Sequence, residues 1–224
     1  MNLREKFYSE SISIIEELYR LSKYDPDIDF YRIWDICNAL DKNQIKSKEW
    51  LVDKLLETLP YQYLPLFDST FPESEPKNIF IAGGWYGITA LLLREKYKLG
   101  DIHTCDLDPV TKIYGEKFID CEQNNIHFKV DDAISYFLEN KNNYGILINT
   151  SCEHMDHDDV TFMCQAKREH TIVCLQNNNF HEIDSHIGCH DSLSDFADSL
   201  KLNQIIYQGV EKLDNCDRYM VIGK

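Results

Sequence analysis

Two different patterns of hydrophobic and polar positions divide the chain. Up to about residue 59, apolar residues recur at helical spacing, with polar residues between them. We predict three helices, with Ser47 as the N-cap of the third, over 12–21, 31–40 and 50–59. Four of the six prolines then fall between residues 60 and 76. Because proline prevents regular structure, we predict a linker over 60–77.

From residue 78 onward, strand-like and helix-like segments alternate. Strands are predicted at 78–84, 102–108, 126–132, 145–152 and 171–178. Helices are predicted after them, at 88–98, from Pro109, at 133–140, weakly after residue 152 and at 192–200. This series predicts a mostly parallel sheet with helices on both faces.

The end of the chain departs from this alternation. Two further predicted strands, 204–213 and 218–224, are joined by a link too short for a parallel crossover, so they should form an antiparallel hairpin. The predicted organisation is a helical cap over 1–59, the linker over 60–77 and an α/β domain over 78–224.

The composition limits the partners of such a protein. The 224 residues carry a formal net charge of −15 and are 43% apolar, which indicates a folded protein. The chain has no dense basic run to neutralise phosphates, so we expect neither nucleic acid nor an anionic membrane surface as a partner. No apolar run approaches the roughly 18 residues that span a bilayer, and the N-terminus is unlike a signal peptide. A small molecule fits the acidic balance better, and a cationic one would be attracted.

Cysteine and histidine usage indicates the compartment and the metal content. The eight cysteines form no C-x-x-C pair, and we interpret them as reduced thiols of a cytoplasmic protein. The spacing of His181, His186, Cys189 and His190 matches no zinc pattern, so no metal is predicted.

The turn after the first predicted strand contains three glycines. Gly83, Gly84 and Gly87 stand between that strand and the next helix, with Trp85 and Tyr86 among them. Glycines at such a turn let the backbone approach a ligand closely and direct helix N–H groups at it. The alternative is a tight turn that binds nothing.

The second and third predicted strands each end in acids. Asp106 is placed to accept hydrogen bonds from both ribose hydroxyls of an adenosine. Asp108 precedes Pro109 and has a simpler explanation as a helix N-cap. Asp132, before the small Ala133, is placed to contact an adenine amine, or it caps the next helix.

These strand ends, together with the closing hairpin, give residues 77–224 a resemblance to the class I S-adenosylmethionine (SAM) dependent methyltransferases. The resemblance implies SAM as cofactor and a Rossmann-like class I methyltransferase sheet, mostly parallel with a C-terminal antiparallel hairpin, under the N-terminal helical cap. It also implies the residues that bind the cofactor. The glycine turn would lie against the methionine end, Asp106 and its neighbour Leu107 at the ribose, Asp131, Asp132 and Ala133 at the adenine, and Asn149 and Thr150 beside the transferred group.

The chain also departs from the family pattern. The usual acid before the first glycine is replaced by Ile81, and the middle glycine by Trp85. Glu153 or an N-terminal acid would then have to bind the methionine ammonium. The rings of Trp85 and Tyr86 would lie beside the sulfonium and attract it by roughly 0.5–2 kcal/mol, or they pack under the N-terminal helices instead.

The polar run 149–154, which follows the fourth predicted strand, carries the candidates for catalysis. These are Asn149, Ser151, Glu153 and His154, together with Tyr86. A positioned acceptor supplies much of a methyl transfer, and His154 or Glu153 would serve as its base. The alternative is helix capping by Thr150 or Ser151 beside a solvated His154.

The sequence therefore predicts a SAM-dependent methyltransferase acting on a small-molecule acceptor. Two alternatives stay open. One is a SAM-using enzyme of another type, which transfers the aminocarboxypropyl group, cyclises it or cleaves it and releases methylthioadenosine. The other is a non-catalytic subunit with the same fold.

Overall fold

A computed structural model describes residues 30–59, 77–98 and 100–224 continuously, with scattered positions between 9 and 23. Six of the ten positions of the predicted helix over 12–21 are described, and all six are helical; the other four lie outside the described residues. The predicted linker, except for Lys77, also lies outside them and stays a prediction.

Helices and strands alternate through the described part of the α/β region. The strands are β1 (Asn78–Ala82), β2 (Ile102–Asp106), β3 (Ile126–Val130), β4 (Tyr144–Asn149), β5 (Ile172–Asn178), β6 (Ile205–Lys212) and β7 (Asp217–Gly223). The helices are α1 (Phe30–Ala39), α2 (Lys42–Thr58), α3 (Ile88–Lys96), α4 (Pro109–Phe118), α5 (Cys121–Asn124), α6 (Ala133–Asn140), α7 (His157–Ala166) and α8 (Leu193–Ser199). Short 3₁₀ helices span Lys141–Asn143 and Cys152–His154.

The strands form one seven-stranded sheet in the order β3-β2-β1-β4-β5-β7-β6. The first five strands run parallel, whereas β7 pairs antiparallel with both β5 and β6. This confirms the predicted mostly parallel sheet and its closing hairpin. The strand order reverses between β1 and β4, and ligands of open α/β sheets bind at the carboxyl ends of strands beside such a reversal.

The central strands are buried on both faces, which explains their continuous apolar runs. Along β1, Ile79 and Ile81 belong to a hydrophobic cluster that also contains Leu55 of α2. Phe80, between them, belongs to the opposite cluster with Phe137 of α6. Helix α2 thus shares a core with one face of the sheet.

The prediction for the start of the third helix is wrong. Helix α2 begins at Lys42, and its N-cap is Asp41, whose side chain accepts a hydrogen bond from the Asn43 N–H at 2.8 Å. Ser47 lies buried inside the helix, where its hydroxyl lies 3.4 Å from Oε1 of Gln176 on β5. The serine bonds across to the sheet instead of capping its own helix.

All eight cysteines lie in the described residues and none forms a disulfide. Cys105 and Cys174 are fully buried, and burial raises the pKa of the Cys174 thiol well above its ordinary value. Among the described residues, no helix is both long enough and apolar enough to cross a membrane.

Candidate functional site

A cleft of about 570 Å³ opens at the carboxyl ends of the parallel strands. This volume lies in the range of small-molecule sites. Its walls come from the turns after β1, β2, β3 and β4, from α1 and α2, and from Ile187 in the loop after β5. The strand ends that the sequence singled out therefore meet at one site, as the reversal of strand order requires.

The glycine turn after β1 contributes Gly83 to the cleft. Gly83 has a φ of +59°, and a Cβ there would approach the Ser151 side chain to 3.2 Å. Gly84 faces the sheet instead, where a Cβ would overlap Oγ1 of Thr104 at 1.5 Å. Two of the glycines therefore serve different needs: Gly83 shapes the cleft and Gly84 lets the turn pack on β2.

Asp106, at the end of β2, holds this turn in place. Its Oδ2 accepts a hydrogen bond from the Trp85 N–H at 3.0 Å, and its Oδ1 accepts one from the Asp108 N–H at 3.1 Å. Burial raises the pKa of this half-buried carboxyl. A carboxylate has about four lone-pair sites, so two acceptor sites remain for a ligand.

Asp108 is an N-cap, as predicted. Its Oδ1 accepts a hydrogen bond from the Val110 N–H at 2.9 Å, and Pro109 occupies the first helical position of α4. Its other oxygen pairs with Arg32 of α1. Helix α1 is thereby tied to the rim of the cleft.

At the end of β3, Asp132 caps α6 by accepting a hydrogen bond from the Ser135 N–H at 2.8 Å. Asp132 and the buried Ala133 both line the cleft. The cap uses Oδ1, which leaves the second oxygen of Asp132 for a ligand. Asp131 is exposed and lies outside the cleft lining.

The side chains of Trp85 and Tyr86 both donate hydrogen bonds to Asp35 of α1. The carboxylate oxygen Oδ2 of Asp35 accepts hydrogen bonds from Trp85 Nε1 at 3.1 Å and from the Tyr86 hydroxyl at 2.7 Å. Tyr86 is fully buried, and burial together with the bond to Asp35 raises the pKa of its hydroxyl far above the ordinary value. Tyr86 does not line the cleft, whereas Trp85 does.

The backbone of Trp85 has a φ of +50°, a region that favours glycine. The methyltransferase pattern that the sequence resembles has a glycine at this position, and this chain has a conformation typical of glycine there although the side chain is an indole. A residue in this region costs of order 1 kcal/mol or more, and the hydrogen bonds that Trp85 donates to Asp106 and Asp35 offset that cost.

Lys48 of α2 also lines the cleft, and sequence reasoning missed it. Its Nζ donates to Oε1 of Gln44 at 3.0 Å and lies 5.7 Å from the centre of the Trp85 ring. Burial lowers the pKa of Lys48 from 10.5 to about 7, and the positive charge of Arg218 is the second cause of this shift. The negative charge of Glu153 acts in the opposite direction. The helical spacing of Ile45, Lys48 and Val52 places the lysine on the apolar face of α2, a signal that was present in the sequence.

The turn after β4 is built around a buried asparagine. Asn149 is fully buried, accepts a hydrogen bond from the Ser151 N–H at 2.8 Å and donates to the sulfur of Met155 at 3.1 Å. Thr150 and Ser151 line the cleft, and the Ser151 hydroxyl lies 3.4 Å from the carbonyl oxygen of Gly83. Asn149 thus shapes the turn that presents Thr150 and Ser151.

Glu153 forms a buried ion pair with Arg218 of β7. Nη1 of Arg218 donates to Oε1 of Glu153 at 2.5 Å, and Nη2 donates to the carbonyl oxygen of Thr150. Oε2 of Glu153 is buried and has no hydrogen-bond partner among the described residues. Glu153 lines the cleft beside His154, while Arg218 lies behind it.

The structure brings most of the predicted site residues to the cleft. These are Gly83, Trp85, Asp106, Leu107, Asp132, Ala133, Thr150, Ser151, Glu153 and His154. Gly84, Tyr86, Gly87, Asp131 and Asn149 lie outside the lining. The cleft residues that the sequence analysis did not name include Arg32, Asp35 and Lys48 of the N-terminal helices.

Comparison with known proteins agrees with the architecture. The mitomycin 7-O-methyltransferase MmcR superposes with a TM-score of 0.56 at 11% identity, over 92% of this chain and 60% of that one. The N-terminal domain of EvdMO1 with SAH bound gives 0.54 at 10% identity, over 79% of this chain and 80% of that one. A putative sarcosine dimethylglycine methyltransferase from Galdieria sulphuraria gives 0.52 at 16% identity, over 75% of this chain and 65% of that one.

The chain therefore has the Rossmann-like fold of class I SAM-dependent methyltransferases, which confirms the predicted resemblance. It spans less than two thirds of the length of MmcR and of the Galdieria protein. No protein-family model matches the chain, and no curated protein matches it by sequence.

Proposed function

We propose that this protein is a SAM-dependent methyltransferase acting on a small-molecule acceptor. The observation that carries the proposal is the meeting of Gly83, Asp106 and Asp132 in one cleft beside the reversal of strand order. Asp106 and Asp132 each keep acceptor sites beyond their bonds to backbone N–H groups. Those sites suit a ribose diol and an adenine amine.

The N-terminal helices supply the charged groups for the methionine end of SAM that the glycine turn lacks. The methionine end of SAM is a zwitterion, and the cleft offers one group of each sign, Lys48 and Asp35. Both hydrogen bonds that Asp35 accepts from described residues fall on Oδ2, so Oδ1 would bind an ammonium in place of the acid that Ile81 replaces. A bound carboxylate at Lys48 would favour the charged form of its amine.

The charge of the cleft supports a cationic cofactor. Its acids outnumber its bases, with Asp35, Asp106, Asp108, Asp132, Glu153, Asp156 and Asp159 against Arg32 and Lys48. SAM supplies a methyl group on a positively charged sulfur. This chain's residues would hold both partners in line, and positioning supplies much of the rate of such a transfer. The volume of the cleft and the net charge of −15 both favour a small acceptor over a nucleic acid.

Calorimetry with SAM and S-adenosylhomocysteine tests the proposal. Asp106→Asn keeps the size of the side chain but removes its charge. Asp106→Ala removes the charge and shortens the side chain as well. We expect Asp106→Ala to weaken binding at least about 100-fold, since two charge-assisted hydrogen bonds are lost at about 1.5–3 kcal/mol each. Asp120→Ala, at an aspartate outside the cleft lining, is the control and should bind as the unaltered protein does. Unchanged affinity in Asp106→Ala would remove the basis of the proposal.

The type of reaction is tested by mass spectrometry of the protein incubated with SAM and no acceptor. We expect SAM to remain intact, because methyl transfer needs its second substrate. Methylthioadenosine above the level without enzyme would instead indicate attack on the aminocarboxypropyl side.

A further inference from the structure

Three side chains at the β4–β5 end of the cleft converge on one point. One carboxylate oxygen of Glu153 and one ring nitrogen each of His154 and His186 all lie within 4.8 Å of one another. Metal bonds to such atoms are about 2.0–2.2 Å long, so ligands of one ion lie about 3–4 Å apart. Small rotations of the side chains would close this gap. Glu153 and His154 line the cleft.

Both imidazoles are oriented by backbone carbonyls. Nδ1 of His154 lies 3.2 Å from the carbonyl oxygen of Ser185, and Nδ1 of His186 lies 2.7 Å from that of Phe180. A carbonyl oxygen only accepts, so each Nδ1 carries the proton and each Nε2 keeps a free lone pair. A carbonyl that fixes the tautomer in this way is the usual second partner of a metal-binding histidine.

The carboxylate is a separate indication of a ligand. The side chain of Glu153 is only 7% exposed, and Arg218 fixes it through Oε1. Oε2 is buried, and no group in the part of the chain that the structure describes forms a hydrogen bond with it. A buried charged oxygen without a partner is rare and marks the place of an ion, a water molecule or a ligand.

Hydrogen bonds connect the loop after β4, which carries Glu153 and His154, to the loop after β5, which carries His186. The N–H of Gly188 donates to the carbonyl oxygen of Glu153 at 2.9 Å, and Nδ2 of Asn177 donates to the carbonyl oxygen of Gly188 at 2.8 Å. A Cβ at Gly188 would come within 2.1 Å of the carbonyl oxygen of Met155. Only glycine permits this approach, which holds His186 beside Glu153 and His154.

We propose that Glu153, His154 and His186 bind one divalent transition-metal ion at the wall of the cleft. Two imidazoles and one carboxylate suit Zn²⁺ or Fe²⁺ and do not suit Mg²⁺ or Ca²⁺, which prefer oxygen ligands. Three protein ligands leave coordination positions for a further ligand. An oxygen of the small-molecule acceptor would bind there, and a metal-bound hydroxyl loses its proton near neutral pH. This use of the ion rests on the proposed function, whereas the binding of the ion does not.

A second group of potential ligands provides the matched control. Asp101, His103 and His127 also have ligand atoms within 4.8 Å of one another, but they lie at the amino ends of β2 and β3, away from the cleft. Nδ1 of His103 is engaged with the Tyr144 hydroxyl at 3.0 Å. A variant at His127 removes an imidazole of the same kind without touching the proposed site.

The test is a titration of the full chain, treated with a chelator and dialysed, with Zn²⁺ by calorimetry and with Co²⁺ by visible absorption. Neither SAM nor an acceptor is present, so the result is independent of the Asp106 experiment. We expect one ion per chain and Co²⁺ d–d bands. His186→Ala and His154→Ala should weaken binding at least about 100-fold, while His127→Ala binds as the unaltered protein does.

Glu153→Gln keeps the volume of the side chain and an oxygen for Arg218, so it tests the carboxylate without emptying the buried site. We expect it to weaken Zn²⁺ binding at least about 10-fold. Circular dichroism at the temperature of the titration checks that the variant, which leaves the buried Arg218 without its countercharge, is folded. Absence of tight Zn²⁺ and Co²⁺ binding to the unaltered protein would overturn the proposal. So would binding that His127→Ala abolishes and His186→Ala leaves intact.

Discussion

The side chains on the two walls of the cleft are fixed by different kinds of contact. The β2–β3 wall, formed by Asp106, Asp108 and Asp132, uses carboxylates that accept hydrogen bonds mostly from backbone N–H groups two or three residues further along the chain. The β4–β5 wall, where Glu153 and His154 line the cleft and His186 lies beside them, depends on distant partners. Arg218, which fixes Glu153, lies 65 residues away along the chain.

The β2–β3 wall is therefore ordered mainly by local contacts, and the β4–β5 wall by tertiary contacts. On the β2–β3 wall, each acid stabilises its own turn and keeps oxygens for a ligand, so loss of one acid should disturb binding more than folding. On the β4–β5 wall, a buried ion pair fixes the position of the carboxylate, so loss of one partner should disturb folding first.

The largest effect should follow from breaking that ion pair. Arg218→Met leaves the Glu153 carboxylate buried and unpaired, and we expect it to lower the free energy of unfolding by about 3–5 kcal/mol. Urea denaturation measures the change. Lys212→Met breaks the pair with Asp217, in which the lysine side chain is 77% exposed, and should cost less than about 1 kcal/mol. If the two variants lose equal stability, the buried pair does not hold the β4–β5 wall in the way proposed.

The same contrast explains which features could be predicted from the sequence. The order of strands and helices from residue 78 onward, the C-terminal hairpin and the Asp108 cap all follow from patterns within about ten residues. The prediction of Ser47 as an N-cap failed because the partner of this serine is Gln176, which lies 129 residues away along the chain. Local spacing carries no information about such a partner.

The same distinction separates the residues of the candidate site that the sequence predicted from those that it did not. Asp106 and Asp132 stand directly at strand ends, where sequence reasoning located them. Asp35 and Lys48 reach the cleft only because α1 and α2 pack over it, and Arg218 reaches Glu153 only because β7 pairs with β5. The histidine spacing predicted no metal, since the ligands now proposed come from two loops that the fold brings together.

A smaller but distinctive effect should come from Lys48→Met. The pKa of Lys48 is lowered from 10.5 to about 7, so at or below pH 7 the folded protein carries the cost of a buried ammonium. The cost falls as the pH rises from 7 and is gone above about 10.5, where the unfolded chain is neutral as well. The variant should therefore be more stable than the unaltered protein at pH 6, and the gain should shrink by pH 9.5.

Thermal unfolding of the ligand-free protein at both pH values measures this gain. Lys46→Met, at an exposed lysine of the same helix, should show no such dependence on pH. The gain of Lys48→Met in stability should come with weaker SAM binding, because the bound carboxylate loses its cation. A destabilised Lys48→Met at pH 6 would mean that the buried amine has an unrecognised partner.

The smallest effect concerns two aspartates with the same local role. Asp132 and Asp120 each accept a hydrogen bond from the N–H three residues further on, at 2.8 and 3.1 Å. Replacing either by alanine should cost about 1 kcal/mol of stability as a lost N-cap. Only Asp132 lines the cleft, so Asp132→Ala alone should weaken SAM binding, by about 10-fold for one charge-assisted hydrogen bond. Equal affinities in the two variants, measured by calorimetry, would reduce Asp132 to a helix cap and leave Asp106 as the acid of the β2–β3 wall that binds the cofactor.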